Sequence, residues 1–354
     1  MRIIMLKKKY IFTILIPVIL VIAATVLGIE MNRSNREGNF EIKETWNTFT
    51  DIEIAKWFKG AHAAISFSWD DSNLTHEKIG GILDEFDYKG SFFPDLNSSN
   101  YKNQKDVWKS LSNTGHEIGS HTINHLELTK VDDLHKLHYE IDESYRILKR
   151  DMGIPPVTLI HPHKQTNRDV AYYVFQTYLF TRKLPSYDRM VVALKPATTF
   201  DEVVEKIEEA YHRHSYVLMR GHGLDNEGYG PIPDDFLREI CQYITDTFES
   251  KMWVAPIREI ALYEQLREKV KLEVFDGSIS LSLQEEDRSR YKIKGIDTML
   301  LSVIFPKNNR AYSFQGTCLR SVDEYTQYYI IDVDLTSSNC SITYIVNGPL
   351  ASNA

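Results

Sequence analysis

The chain is poor in cysteine and contains no concentrated block of positive charge. Three cysteines occur in 354 residues, at positions 241, 318 and 340, and no two of them form a C-x-x-C pair. Because a four-thiolate zinc site needs one more ligand than these residues supply, any metal must be bound by histidine, aspartate or glutamate. Lysine and arginine total 41 against 49 for aspartate and glutamate, and no basic cluster suits a phosphate backbone. The composition argues against a nucleic-acid partner.

Several familiar enzyme motifs are also missing. The sequence contains no P-loop, no G-x-G-x-x-G fingerprint and no G-x-S-x-G nucleophile elbow. The segment from His116 to His121 has one residue too many for the H-E-x-x-H helix of zinc proteases. Asp70 and Asp71 are adjacent, so they cannot readily flank a glycosidic bond as the carboxylates of a glycosidase do. These absences direct attention to metal-assisted chemistry.

One long apolar run lies near the N-terminus. It covers residues 11–29 and follows Arg2 and three lysines at positions 7 to 9. As a helix it would be about 28 Å long, close to the roughly 30 Å of a bilayer core. The positive-inside rule then predicts that residues 1–30 anchor the chain in a membrane, with the remainder outside the cytoplasm. A cleaved signal segment, which would give a secreted protein, is the competing interpretation.

The pattern after this segment predicts an α/β fold. Residues 31–59 are polar and suit a linker. From residue 60 to 268, short β-rich runs alternate with amphipathic helical segments, as in repeated β-α units with parallel strands. About seven such units favour a (β/α) barrel over an open sheet. The predicted strands lie near residues 63–69, 90–94, 116–121, 157–161, 178–182, 215–220 and 252–255.

Residues 269–354 have a different pattern. Alternating apolar and polar residues in short runs, separated by turn residues, predict a small C-terminal all-β domain. Cys318 and Cys340 both lie in this part, and outside the cytoplasm they could form a disulfide. Their spacing alone does not decide whether they pair.

Polar side chains concentrate at the predicted strand ends. In a parallel barrel the functional residues lie at the C-terminal ends of the strands. Two imidazoles four residues apart and one nearby carboxylate form a ligand set that leaves metal positions open for water, as in catalytic sites. The strand-end residues are Asp70, Asp71, His121, His125, His161, His163, Arg182, Arg220 and His222.

Adjacent aspartates require separate roles, because neighbours on an extended chain point in different directions. One of Asp70 and Asp71 can bind the metal while the other remains free as a base. An Asp-Asp pair considered alone more often caps a helix or lies in a solvated turn. The succession of histidines at later strand ends favours the catalytic interpretation.

Two segments resemble a known family. Residues 66–71 (SFSWDD) and 115–125 (GHEIGSHTINH) are similar to motifs of the polysaccharide deacetylases, also called the NodB-homology domain or carbohydrate esterase family 4. The resemblance covers about residues 60–265. It implies a distorted (β/α) barrel and a hydrolase that removes acetyl groups from polysaccharides with the help of one divalent metal ion.

The resemblance also implies roles for individual residues. Asp70 corresponds to the general base, and Asp71, His121 and His125 correspond to the metal ligands. His222 matches the general acid of the family loosely. Zinc is the expected metal, although the mixed nitrogen and oxygen ligands would also accept cobalt, nickel or manganese.

The sequence departs from the family pattern at two points. Ser72 replaces the glycine that usually follows Asp-Asp, and residues 160–163 (IHPH) replace an Arg-x-Pro-Tyr segment and lack its arginine. His163 or Arg182 could take the place of that arginine, and both are predicted to bind substrate.

The sequence therefore predicts a metal-dependent deacetylase that acts on an extracellular or cell-wall polysaccharide, most naturally on N-acetyl groups. Two alternatives stay open at this point. One is a related hydrolase of small amides, and the other is a catalytically inactive surface protein whose β domain binds glycan or protein. The sequence does not indicate the oligomeric state.

Overall fold

The computed structural model describes residues 51–182, 189–338 and 340–349. These residues belong to one compact unit, Phe49–Ala354. The predicted anchor, residues 1–30, and most of the predicted linker, residues 31–59, lie outside the described part of the chain.

The described strands and helices alternate through the first two thirds of the chain. The strands are β1 Glu53–Ile54, β2 Ala63–Asp70, β3 Ser91–Phe93, β4 Glu117–Ile118, β5 Thr158–Leu159, β6 Phe180–Thr181, β7 Arg189–Ala193, β8 Tyr216–Gly221, β9 Met252–Val254, β10 Lys271–Phe275, β11 Ser278–Ser282, β12 Leu300–Pro306, β13 Arg310–Gly316, β14 Leu319–Glu324, β15 Tyr328–Asp334 and β16 Cys340–Pro349. The α-helices are α1 His76–Glu85, α2 Ser99–Gln104, α3 Asp106–Asn113, α4 Leu134–His138, α5 Ser144–Met152, α6 Arg168–Thr177, α7 Phe200–His212, α8 Asp234–Phe248, α9 Ile257–Lys269 and α10 Glu285–Ile293. A π-helical turn, Tyr139–Glu143, joins α4 to α5.

Parallel strands form the centre of the first part. Their order is β7-β8-β2-β3-β4, and β9 pairs with the first residues of β2 while β3 pairs with its last residues. A bridge between Ser120 and Leu159 connects this sheet to the parallel pair β5-β6. Every residue of β2 is buried, as expected for a strand covered on both faces. Because the strands are parallel, their C-terminal ends share one rim, which carries the site described below.

The C-terminal part consists of two antiparallel four-stranded sheets and a helix. Their strand orders are β1-β12-β15-β14 and β10-β11-β16-β13. Cys318 and Cys340 form a disulfide, which resolves the pairing that the sequence left open. One hydrophobic core joins these sheets to the first part, since Phe180 and Leu266 belong to the same buried cluster as Ile331.

The structure corrects the fold class expected from the sequence. The α/β pattern is confirmed, but the complete statement, which included an N-terminal transmembrane helix and an all-β C-terminal domain, is wrong. Among the described helices, none has both the length and the apolar character that crossing a bilayer requires. Helix α10 lies within the C-terminal part, where Tyr291 and Arg288 are buried, so this part is not all-β. The domain boundaries at residues 60 and 268 stay predictions.

Candidate functional site

The end of β2 separates the two adjacent aspartates. Asp70 is the last residue of the strand and is only 6% exposed. Asp71 has a φ of 69°, in the left-handed region that residues other than glycine rarely adopt. The turn at this residue directs the two carboxylates to different partners, as the sequence required, and strained backbone of this kind is typical of functional sites.

Asp71 lies with two histidines in a cluster that fits a metal ion. Asp71 Oδ1 is 3.7 Å from His121 Nε2 and 3.5 Å from His125 Nε2. The two Nε2 atoms are 3.1 Å apart, and all three candidate ligand atoms lie within 4.8 Å of one another. Two nitrogens and one oxygen that converge in this way suit a divalent transition metal with open coordination positions.

The tautomer of His121 supports this interpretation. Its Nδ1 lies 2.8 Å from the carbonyl oxygen of Ile160, which can only accept, so Nδ1 carries the proton. The Nε2 lone pair is therefore directed at Asp71 and His125. Burial lowers the pKa of His121 to about 4, which keeps the imidazole neutral at neutral pH. A neutral imidazole held by a second hydrogen bond is the usual form of a histidine metal ligand.

A buried glutamate holds the loop that carries both histidines. Glu140 Oε2 accepts hydrogen bonds from the backbone N–H groups of Ile123, at 3.0 Å, and Asn124, at 2.8 Å. Its Oε1 accepts one from Asn124 Nδ2 at 2.6 Å. Glu140 is wholly buried and lies in the π-helical turn, a feature often found near functional sites. Sequence reasoning missed this residue, although a glutamate beside the apolar Ile141 in a helical pattern was a usable signal.

Asp70 forms a bidentate ion pair with Arg182. Arg182 Nη1 donates to Asp70 Oδ2 at 2.9 Å, and Nη2 donates both to Asp70 Oδ1 and to Ser68 Oγ. Burial raises the pKa of Asp70, but the charges of Arg182, His121 and His222 outweigh burial and lower that pKa to about 2. Asp70 is therefore ionised at neutral pH. Arg182, which the sequence analysis predicted to bind substrate, contacts this carboxylate.

His222 lies at the mouth of the site, directly after β8. Its backbone carbonyl accepts hydrogen bonds from Asn73 Nδ2 at 2.9 Å and His76 Nε2 at 2.8 Å. Its ring is half-buried and packs edge-on against Tyr229, with the ring centres 5.4 Å apart. Burial raises the pKa of Asp71 and a charge on His222 opposes that rise, while the same charge helps to lower the pKa of Asp70, so the imidazole lies near both carboxylates.

His163 completes the set of predicted residues. It has a φ of 54°, and its exposed ring lies 4.8 Å, centre to centre, from the ring of His125. All seven residues that the sequence singled out for a role thus lie at one rim of the parallel strands. Their individual roles stay predictions.

Comparison with known proteins gives distant similarities. A gellan lyase from a Bacillus species is 24% identical over 257 residues, which are 63% of this chain and 10% of that protein. The chain thus spans about a tenth of the length of this curated relative.

Solved structures of deacetylases are also similar. A structure from Mycobacterium smegmatis assigned to the polysaccharide deacetylases has a TM-score of 0.47 at 16% identity and covers 61% of this chain and 94% of its own. A peptidoglycan deacetylase from Bacillus subtilis has a TM-score of 0.41 at 16% identity, with coverages of 58% and 93%. A chitin deacetylase from Colletotrichum lindemuthianum has a TM-score of 0.42 at 18% identity, with coverages of 56% and 86%.

The family comparison bears directly on the site. The sequence model of the polysaccharide deacetylases matches residues 59–178. This range includes both aspartates at the end of β2 and both histidines of the loop that Glu140 holds. The resemblance inferred from the sequence motifs is therefore confirmed: residues 59–178 match the polysaccharide deacetylase family.

Proposed function

We propose that this protein is a metal-dependent hydrolase that removes N-acetyl groups from a polysaccharide outside the cytoplasm. Polysaccharide deacetylation itself is supported by the family match. The proposal that this hydrolysis depends on a metal rests on one observation: Asp71, His121 and His125 converge beside an ionised carboxylate, Asp70. The disulfide between Cys318 and Cys340 supports the location, because disulfides persist mainly in oxidising compartments.

The metal would be held by the Asp71 carboxylate and the Nε2 atoms of His121 and His125. A divalent ion bound there would supply Lewis acidity towards water and the acyl carbonyl. Zinc is the metal we propose, and the same ligands would accept cobalt, nickel or manganese.

The other residues of the site handle the protons. Asp70 accepts a proton from the attacking water, and Arg182 holds both of its oxygens so that the carboxylate keeps one orientation. His222, when protonated, donates to the departing amine, because an amide leaving group needs a proton before it can leave. The hydrogen bonds to its backbone carbonyl fix the position from which it donates.

The test is acetate release from chitooligosaccharides and peptidoglycan fragments, before and after removal of metal with a chelator. We expect release that the chelator abolishes and that added zinc restores. Replacing Asp70 by Asn should lower kcat by about 100-fold or more, since a general base contributes on that scale. Release that survives chelation would contradict metal dependence, and a fully active Asp70→Asn variant would contradict the role of Asp70.

The same assay distinguishes the alternatives. Acetate release from small amides but not from oligosaccharides would indicate that the substrate is a small amide and not a polysaccharide. Absence of release from every substrate in the presence of bound zinc would favour the inactive surface protein.

A further inference from the structure

A second arginine, Arg220, lies beside the pair formed by Arg182 and Asp70. It belongs to β8 and is in register with Ser68 of β2 and Ala193 of β7. Residues in register on neighbouring strands point to the same face of a sheet. Arg220 therefore points to the face on which Ser68 accepts a hydrogen bond from Arg182.

The Nε atom of the Arg220 side chain has no hydrogen-bond partner within the part of the chain that the structure describes. The side chain is partly buried, and the Nε atom is inaccessible to water. The nearby carboxylate, Asp70, already has both oxygens bound by Arg182. An Nε–H group in this state is unfavourable, because it has lost water without gaining an acceptor.

Lys164, an exposed residue, adds a third positive charge to this rim, since it directly follows His163, whose ring lies 4.8 Å from that of His125. Burial and the charges of Arg220 and Arg182 lower the pKa of Lys164. Lys164 and the preceding His163 have φ values of 62° and 54°, so two successive residues other than glycine adopt the left-handed conformation. Strain of this kind persists where the surrounding structure requires a particular position of the side chains.

Among the residues that the structure describes, positive charges outnumber negative ones around Arg220. Arg182, Arg220 and Lys164 are cations, whereas Asp70 is the carboxylate that lies among them. The whole chain carries a formal net charge of −8, so an excess of positive charge here is not a general property of its surface. Asp70 is thus the one carboxylate among the described groups that act on Arg220, and guanidinium groups bind carboxylate and phosphate oxygens in a fork geometry.

We propose that Arg220 and Lys164 bind an anionic group of the substrate, a carboxylate or phosphate on a sugar next to the acetylated one. The inference rests on the proposed function and narrows its substrate to an acidic acetylated glycan. Arg182 is occupied by Asp70, so Arg220 supplies the guanidinium that faces the substrate.

Binding of an acidic oligosaccharide and of its neutral ester to the zinc-loaded full chain tests this proposal. A hyaluronan tetrasaccharide, which alternates N-acetylglucosamine with glucuronate, is compared with its methyl ester by calorimetry at low salt. We expect the ester to bind at least about tenfold more weakly, because it cannot form the charge-assisted hydrogen bonds. Binding of an N-acetylglucosamine oligosaccharide that carries a 6-phosphate tests whether the anionic group that is recognised is a phosphate.

Variants then assign the preference to residues. Arg220→Gln and Lys164→Gln should each remove most of the preference for the acid, while Arg220→Lys should keep part of it because the charge remains. Lys109→Gln is the matched control, since Lys109 is an exposed lysine on α3, which carries none of the proposed site. Thermal unfolding of each variant verifies that it is folded.

The outcomes separate this inference from the proposed function. Equal binding of both charged oligosaccharides and the ester, or an acid preference that survives both glutamine substitutions, would overturn the inference even if acetate is released. A preference for the phosphorylated oligosaccharide alone would support it with phosphate as the anion. An acid preference that depends on Arg220 without acetate release from any substrate would support the anion site and contradict the proposed function.

Discussion

The two sides of the candidate site are held in place by different interactions. On the side of the metal ligands, the loop with His121 and His125 is held by Glu140, which accepts hydrogen bonds from uncharged N–H groups. On the other side, Asp70 is held by the charge and the two donors of Arg182.

This difference has chemical consequences. The hydrogen bonds that Glu140 accepts from the backbone N–H groups fix the positions of the imidazoles and leave their lone pairs available to a metal. The ion pair with Arg182 fixes Asp70 and also helps to lower its pKa to about 2. Substitutions on the first side should therefore affect metal binding, whereas substitutions on the second should affect turnover.

The largest effect is expected from removing a ligand. His121→Ala should weaken zinc binding by at least about 100-fold, because it removes one of three ligands, and even an outer partner is worth about 10- to 100-fold. Equilibrium dialysis with zinc measures the loss. His163→Ala is the control, since His163 contacts His125 by its ring and is not one of the clustered ligands. Equal losses in the two variants would contradict the assignment of His121.

Arg182→Lys tests the second side. Lysine keeps the charge but cannot bind both oxygens of Asp70 in a fork. We expect kcat to fall by up to about 100-fold because the base is misplaced, while zinc affinity stays within about twofold. Steady-state kinetics and zinc titration on the same preparations measure both quantities. A drop in zinc affinity as large as that in kcat would contradict the statement that this side of the site affects turnover and not metal binding.

Glu140→Gln tests the first side without changing a ligand. The amide replaces one acceptor oxygen by an NH₂ group that cannot accept from the loop. We expect zinc affinity to fall by about tenfold, with a smaller effect on kcat at saturating zinc. Glu143→Gln is the matched control in the same π-helical turn, because Glu143 bonds Arg146 at the surface. The two variants would behave alike if Glu140 did not hold the loop.

The smallest effect on the candidate site is expected from substitution of His116, because this residue lies on neither side of the site. Its expected effect is on the stability of the fold. Burial lowers the pKa of His116 to about 4 from its ordinary value of 6.5, and its Nδ1 accepts a hydrogen bond from the Gly90 N–H. Between these pH values the unfolded chain binds the proton that the folded chain does not, so stability should fall as pH drops from about 6.5 to 4.

We expect the contribution of His116 to this loss to be on the order of 1 to 3 kcal/mol. Urea unfolding at several pH values measures it, and His116→Gln should show a shallower dependence on pH than the wild type. His135→Gln, which alters an exposed histidine, is the control. Identical pH slopes for His116→Gln and the wild type would contradict the role of His116.

The sequence predicted which side chains meet at the rim, because parallel strands place their C-terminal ends together. That rule was enough to predict that Asp70 and Asp71 lie near His121 and His125. The two pairs are separated by about fifty residues along the chain. It could not give the turn at Asp71, since a left-handed φ at a residue other than glycine depends on its surroundings.

Contacts between distant segments were beyond the sequence patterns. The Arg182 side chain reaches Asp70 across 112 residues, and no periodicity encodes such a pairing. Strand β7 was not predicted, because residues 189–193 are half-buried or exposed at most positions and lack a clear alternation. Helix α10 was missed for a similar reason, since it is short and strongly polar.

The short strand β1 has a consequence for how the protein folds. Glu53 and Ile54 pair with Ile304 and Val303 before the chain continues into β2, so a segment that precedes the parallel strands is completed by residues some 250 positions later. A shortened chain that stopped at residue 269 would leave β1 without its neighbour and would expose the apolar surface of α9 and β6 to water. The C-terminal sheets are thus a structural part of the unit that carries the candidate site, and we expect cooperative unfolding of both parts in a single transition.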